Sequence, residues 1–197
     1  MKYLITGLGN IGREYDGTRH NIGFEVVDYM AYLNKVSFEA DRYAHTCELK
    51  FKGKTLILAK PTTYMNLSGK AVRYHLNKHN IPIENLLVIV DDKDLPLGTV
   101  RLKPKGTGGT HNGINDIITT LNTLDFARLR IGIGNDFAKG FQVEYVLSKF
   151  TEEEKKQLRP SIEMAVEIVK SFVTQGIQRT MNAYNKNEKP PISEQLL

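Results

Sequence analysis

Two rhythms alternate along this chain. Short stretches of apolar and β-branched residues, at 3–6, 46–51, 55–59, 86–90, 99–102 and 128–132, read as strands. Between them, apolar residues return every three or four positions, the period of a helix with one buried face. The run Leu86-Leu87-Val88-Ile89-Val90 is apolar throughout, as a strand must be when both its faces are covered. Strands alternating with helices predict an α/β domain.

Local signals suggest the helix ends. Asn21 is placed to cap a helix carrying Val26, Val27, Met30 and Leu33 on one side. Ser68 is placed to cap a second, with Val72 and Leu76 facing inward, and Asn112 begins a third through Ile117, Ile118 and Leu121. Thr151 and Glu154 have the spacing of a capping box for the C-terminal helical region. Pro160 is expected to divide that region, since proline lacks an N–H and its ring collides with the preceding turn; 161–174 would be the longest piece. Residues 186–197, with Pro190-Pro191, read as a flexible tail.

Composition narrows the class. The chain has 197 residues, 41% hydrophobic and 25% charged, enough for one domain with its own core. A lone cysteine, Cys47, excludes an internal disulfide framework and a thiolate-rich zinc site, and fits a reducing cytoplasm. The apolar run ending at Gly7 is too short for the core of a signal peptide. No stretch approaches the roughly 20 apolar residues of a bilayer span, so a cytoplasmic protein with no membrane partner is expected. Net charge is +5, compatible with a polyanionic partner. The charge is uneven: Lys93, Arg101, Lys103 and Lys105 fall close together, and Arg128, Arg130 and Lys139 follow.

Gly7-Leu8-Gly9-Asn10-Ile11-Gly12 matches the glycine pattern of dinucleotide-binding folds. That pattern requires a helix to open at the glycines, so that its first amides meet a pyrophosphate. Here a polar stretch without helical period follows, and the helix begins only near Asn21, so nucleotide binding is rejected. The second glycine cluster, 106–113, lacks the Gly-Lys-Ser/Thr ending of a P-loop; it suits close backbone approach to a ligand.

Four segments present a polar residue amid glycines or at a strand or helix end: Gly9-Asn10-Ile11-Gly12, Thr18-Arg19-His20-Asn21, Met65-Asn66-Leu67-Ser68-Gly69 and Thr110-His111-Asn112-Gly113. Asp91 ends the buried strand, where α/β sheets gather ligands. Histidine is the side chain suited to take a proton near neutral pH, and a carboxylate behind it fixes the tautomer. Asparagines offer neutral donors and acceptors for an amide-bearing substrate and a developing oxyanion. Asn21 is assigned to capping alone, and His45, His75 and His79 to the polar surface. His20 and His111 with a carboxylate make a poor metal site by spacing, since neither has a histidine partner at i, i+4 and Cys47 is isolated, so no metal is expected. From these residues alone, a water-activating site near basic residues is the reading.

Together these segments resemble the bacterial-type peptidyl-tRNA hydrolase family. The matches are Gly7-Leu8-Gly9-Asn10, Thr18-Arg19-His20-Asn21-Ile22-Gly23, 61–69 from Pro61 to Gly69, Asp91-Asp92-Lys93-Asp94-Leu95-Pro96, His111-Asn112-Gly113 and Arg128-Leu129-Arg130-Ile131-Gly132-Ile133-Gly134. The resemblance implies one domain over 1–185, with a mixed, mostly parallel twisted sheet flanked by helices. It implies a monomer that cleaves peptidyl-tRNA without metal or other cofactor. By it, His20 corresponds to the catalytic histidine and Asp91 to its supporting aspartate. Asn10 and Asn66 correspond to asparagines that hold the peptide, Asn112 to one that orients substrate or water, and Tyr15 and Met65 to cleft-lining residues. Lys103, Arg130 and Lys139 correspond to basic positions for tRNA phosphates. Ile11, Lys93 and Thr110 depart from the family's usual proline, leucine and glycine. Two other readings stay open at this point: a non-catalytic RNA-binding relative of the same fold, and an esterase or amidase for small acyl substrates.

Overall fold

The computed structural model describes residues 1–186, so all but the first residue of the expected tail lies outside the described residues. Its strands are β1 (Lys2–Gly7), β2 (Glu39–Asp41), β3 (Ala44–Phe51), β4 (Lys54–Pro61), β5 (Leu86–Asp92), β6 (Val100–Lys103) and β7 (Ala127–Gly132). They form one sheet in the order β2-β3-β4-β1-β5-β7-β6. The pairings β4-β1, β1-β5 and β5-β7 are parallel, and β3 and β6 run against their neighbours. The sheet is therefore mixed, with every strand except β3 and β6 running in one direction. The short, largely exposed β2 carries no apolar run in its sequence, and the sequence pattern does not show it.

The helices are α1 (Ile22–Leu33), α2 (Ser68–His79), α3 (Asn112–Leu121), α4 (Gln142–Val146), α5 (Glu152–Gln175) and α6 (Ile177–Tyr184). Strand side chains alternate between faces, and this alternation sorts the core into two layers. Tyr3, Ile5, Leu87 and Ile89 pack with Val26 and Met30 of α1 and with Ala165, Val169 and Phe172 of α5. Leu4, Leu86, Val88 and Val90 pack on the other face with Val72 and Leu76 of α2 and Ile114 and Ile117 of α3. A strand with helices on both sides has no solvent face, which accounts for the unbroken apolar run in β5.

Several local expectations are corrected. Pro160 lies inside a single α5 and does not divide it. A helix-interior proline costs about 3 kcal/mol, but burial of Leu158 before it and of Ala165, Val166 and Val169 after it gives about 1.5–3 kcal/mol for each larger side chain. The Ser161 hydroxyl also donates to the Gly98 carbonyl at 2.7 Å. The Thr151–Glu154 capping box is present at the start of this helix. Ser68 does not cap α2; it is the first helical residue, and its buried hydroxyl donates to the Met65 carbonyl at 2.7 Å. Leu33 is 47% exposed rather than on the inner side of α1. His75, expected at the surface, is buried, with Nε2 2.9 Å from the Arg42 carbonyl; it lies on the same inward stripe of α2 as Val72.

The glycine pattern after β1 does not open a helix, since α1 begins only at Ile22, and Gly7 serves packing. A Cβ there would stand 2.1 Å from the Gly23 carbonyl oxygen, so the residue is spent on close packing of α1 against the strand. At the outer edge of the sheet, the Asn185 side chain bonds both the N–H and the carbonyl of Leu102, at 3.0 and 2.8 Å. It thereby occupies backbone groups that an edge strand would otherwise leave open.

Candidate active site

The carboxyl ends of β1, β4 and β5 open into one cleft of about 830 Å³, lined by Asn10, His20, Met65, Asn66, Asp91, His111 and Asn112 among others. Its position follows from topology: from β1 the chain runs through α1, β2 and β3 to β4 on one side, then from β4 through α2 to β5 on the other side of β1, and the crevice forms where the order reverses. The basic residues Lys93, Lys103, Lys105, Arg128 and Arg130 also border it, together with the loop 106–110 and α4.

Asp91 lies at the centre and is 5% exposed. Its Oδ1 is 2.8 Å from His20 Nδ1 and 3.0 Å from His111 Nε2. Burial by itself would raise the carboxyl's pKa, but the two histidines outweigh it through their charge and hydrogen bonds and hold it well below the usual carboxylate range. A carboxylate can only accept, so both facing ring nitrogens must carry protons. The remaining nitrogens then differ. His111 Nδ1 accepts from the Ile114 N–H at 3.3 Å, so this residue is the N-cap of α3. His20 Nε2 makes no hydrogen bond within the described residues, and the ring lines the cleft. Of the pair, His20 alone keeps a lone pair for chemistry.

His20 is held by its neighbours in sequence. Arg19 is buried, with its guanidinium over the rings of Tyr145 and Phe150 at 4.4 and 4.9 Å, an ion pair to Glu154 at 3.0 Å and a hydrogen bond to the Ser148 hydroxyl at 3.1 Å. The Arg19 N–H donates to the Ser148 carbonyl at 3.0 Å. These contacts tie the His20 turn to α5 and to α4, a helix the sequence pattern does not show and whose Gln142 and Val143 form part of the cleft wall.

Asn10 is fixed from both sides. Its backbone N–H donates to Asn21 Oδ1 at 2.8 Å, and its carbonyl accepts from Asn21 Nδ2 at 2.9 Å. Asn21 holds the N-cap position of α1 but makes no side-chain capping bond there, and its buried carboxamide clamps Asn10 instead. Asn10 Oδ1 accepts from the Met65 N–H at 2.8 Å, leaving its NH2 group to face the cleft. Gly113 lets α3 close beneath: a Cβ there would lie 2.6 Å from Met65 Sδ. Asn66 and Asn112 are exposed on the rim.

The remaining sequence-derived candidates spread out. Lys103 is exposed beside the cleft, and Arg130 is ion-paired to Asp92. Lys139 is exposed, and neither it nor Tyr15 is among the residues lining the cleft. Arg128 turns inward, its guanidinium donating to the carbonyls of Gly106, Thr107, Leu124 and Phe126. Burial, with Arg130 nearby, pushes its pKa down to about 10; it shapes the loop bordering the basic rim.

The peptidyl-tRNA hydrolase family model matches residues 4–191. The chain belongs to this family. Relatives named peptidyl-tRNA hydrolase include those of Phocaeicola vulgatus, 56% identical over 94% of this chain and 100% of the relative, and of Cytophaga hutchinsonii, 55% identical over 94% and 98%. The crystal structure of peptidyl-tRNA hydrolase from Acinetobacter baumannii superposes with a TM-score of 0.89 at 35% identity, covering 95% of this chain and 96% of that one. Membership over nearly the whole chain does not favour the non-catalytic alternative. Within the family's segments, sequence reasoning left His111 without a role, although a histidine directly before a predicted helix start was the available signal.

Proposed function

We propose that this chain hydrolyses peptidyl-tRNA, cleaving the ester between the peptide carboxyl and the terminal ribose, with His20 as general base. The observation that carries the assignment is the tautomer pair around Asp91, which leaves His20 Nε2 bare on the cleft and commits both nitrogens of His111. Neutral His20 takes a proton from water, and the hydroxide adds to the ester carbonyl. Asp91 stabilises the imidazolium that results. The NH2 group of Asn10 supplies a donor for the oxyanion, with Asn112 at the rim. Protonated His20 then returns its proton to the departing ribose oxygen. Asn66 and Met65 suit the peptide portion, and Lys103, Arg130 and Lys139 the tRNA phosphates.

Because the cleft is built from one chain, we take the protein to act as a monomer, which sedimentation analysis would test. No helix of the described residues is long and apolar enough to cross a membrane, and a tRNA substrate suits a cytoplasmic setting. The decisive experiment is release of N-acyl amino acid from N-acylated aminoacyl-tRNA by the wild type and by His20→Ala, with chelator present. General-base catalysis contributes roughly a hundred- to ten-thousand-fold, so the variant should lose at least about a hundredfold in kcat. An alanine variant with full activity would overturn the assignment.

A further inference from the structure

We propose that Asp41, His75 and His79 form a second site, for a divalent transition-metal ion of the zinc class, serving stability rather than hydrolysis. One donor atom from each of the three side chains lies within 4.8 Å of the other two. His75 and His79 stand at i, i+4 on α2, and their rings stack at 6.0 Å between centroids and 18° between planes. That spacing puts two imidazoles on one helix face, a common way to hold zinc. Asp41, at the end of β2, adds the negative charge.

An independent observation comes from His75 itself. Its Nε2 faces the Arg42 carbonyl at 2.9 Å. A carbonyl only accepts, so this nitrogen carries the proton. With that proton on Nε2, Nδ1 is left as a bare lone pair. That nitrogen is buried and has no hydrogen-bond partner, a state that costs free energy unless something binds it. An imidazole whose second nitrogen donates to a backbone carbonyl is the usual supported form of a metal ligand. Imidazole and carboxylate together suit zinc and its neighbours better than magnesium or calcium.

Lys78 is the resident competitor. Its ammonium lies 2.5 Å from Asp41 Oδ2, while Asp41 Oδ1 accepts from the Arg42 N–H at 2.7 Å. A metal ion must displace Lys78 to reach the carboxylate, and Lys2 also adds positive charge near His79. His79 is only partly buried, so solvent can reach the site. An ion held there would cross-link the edge strand β2 to α2.

The test is zinc titration of the full chain near neutral pH, by competition with a chromophoric chelator, with thermal unfolding alongside. Wild type, His79→Ala, His79→Gln and Lys78→Ala are compared. An ion captured by His20, Asp91 and His111 would survive the changes at position 79, so the zinc lost in those variants is the readout. Both should lose one equivalent, or more than about tenfold in affinity, together with the zinc-dependent rise in Tm. Lys78→Ala should bind more tightly, because the carboxylate no longer has a competing ammonium. Equal uptake and equal Tm rise in wild type and both His79 variants would overturn the proposal. So would weaker binding by Lys78→Ala. Metal-free hydrolysis should be unchanged in His79→Ala.

Discussion

The chain holds the same three side-chain types twice, and the two clusters are wired differently. Around Asp91, both histidines turn an N–H toward one buried carboxylate oxygen, and among the described residues its ion pairs are with histidines alone. Around Asp41, a lysine takes the carboxylate, which is 20% exposed, and His75 gives its N–H to a backbone carbonyl. The first wiring is the one that the proposed base requires, with a carboxylate behind a ring that lines the cleft. The second leaves a buried, unprotonated nitrogen with no donor among the described residues to accept from. Residue identity does not separate the two clusters; what occupies the carboxylate does.

The strongest way to break this contrast is to neutralise each carboxylate in turn. Asp91→Asn should cut kcat by about a hundredfold or more, because the amide cannot fix the His20 tautomer or stabilise its charged form. Asp41→Asn should stay within about twofold, as expected for a partly exposed site away from the chemistry. Comparable losses in both would dissolve the distinction. Asp91→Asn has a signature in acid as well. The folded pKa of Asp91 is depressed, so its contribution to stability is fully present above the unfolded value near 4 and is lost as pH falls toward the folded value. The stability gap between wild type and Asp91→Asn should therefore shrink below about pH 4 in denaturant melts. A gap that widens there would contradict the assigned direction.

His111→Ala should have the next largest effect. It removes one of two donors to a buried carboxylate, and hydrogen bonds to charged groups contribute roughly 1.5–3 kcal/mol. A kcat loss of about ten- to a hundredfold is expected, smaller than for His20→Ala, because His111 has no lone pair free for water. If His111→Ala were the more damaging of the two, the roles of the histidines would have to be exchanged.

The contrast also explains what could be read from the sequence. Apolar runs and helical periods are local, and they identified six strands and the positions of α1, α2, α3 and α5. The short β2 and α4 have no such period and depend on neighbours: β3 for the one, the Arg19 contacts for the other. Pro160 misled because local propensity carries less weight than the tertiary burial around it. Within the cleft, His20, Asp91 and Asn10 stood out through glycine-flanked segments and the strand end. Asn21 stands at the N-cap position that its setting suggests, but nothing local says that its side chain bonds the backbone of residue 10. His75 and His79 read as surface histidines because their meaning depends on Asp41 and Arg42, more than thirty residues earlier.

Asn21→Ala tests such a long-range role. It removes two buried hydrogen bonds that hold Asn10, leaving a backbone N–H and a carbonyl unsatisfied, at a cost of about 1–3 kcal/mol for each group so exposed. Thermal melts should show the loss of stability, and KM and kcat should worsen together as Asn10 loosens. A variant as stable as the wild type would mean the clamp is dispensable.

The smallest expected effect lies at the rim. Lys103 is exposed and unburdened by burial, so Lys103→Ala should leave the Asp91 cluster intact and barely alter hydrolysis of a minimal acyl-nucleoside. On tRNA substrates it should weaken binding several-fold and lower the slope of log affinity against log salt by about one. Arg130→Ala should do the same less cleanly, because it also releases Asp92, the residue next to Asp91. A Lys103 variant whose salt slope matched the wild type would remove this residue from the tRNA contacts while leaving the chemistry at His20 untouched.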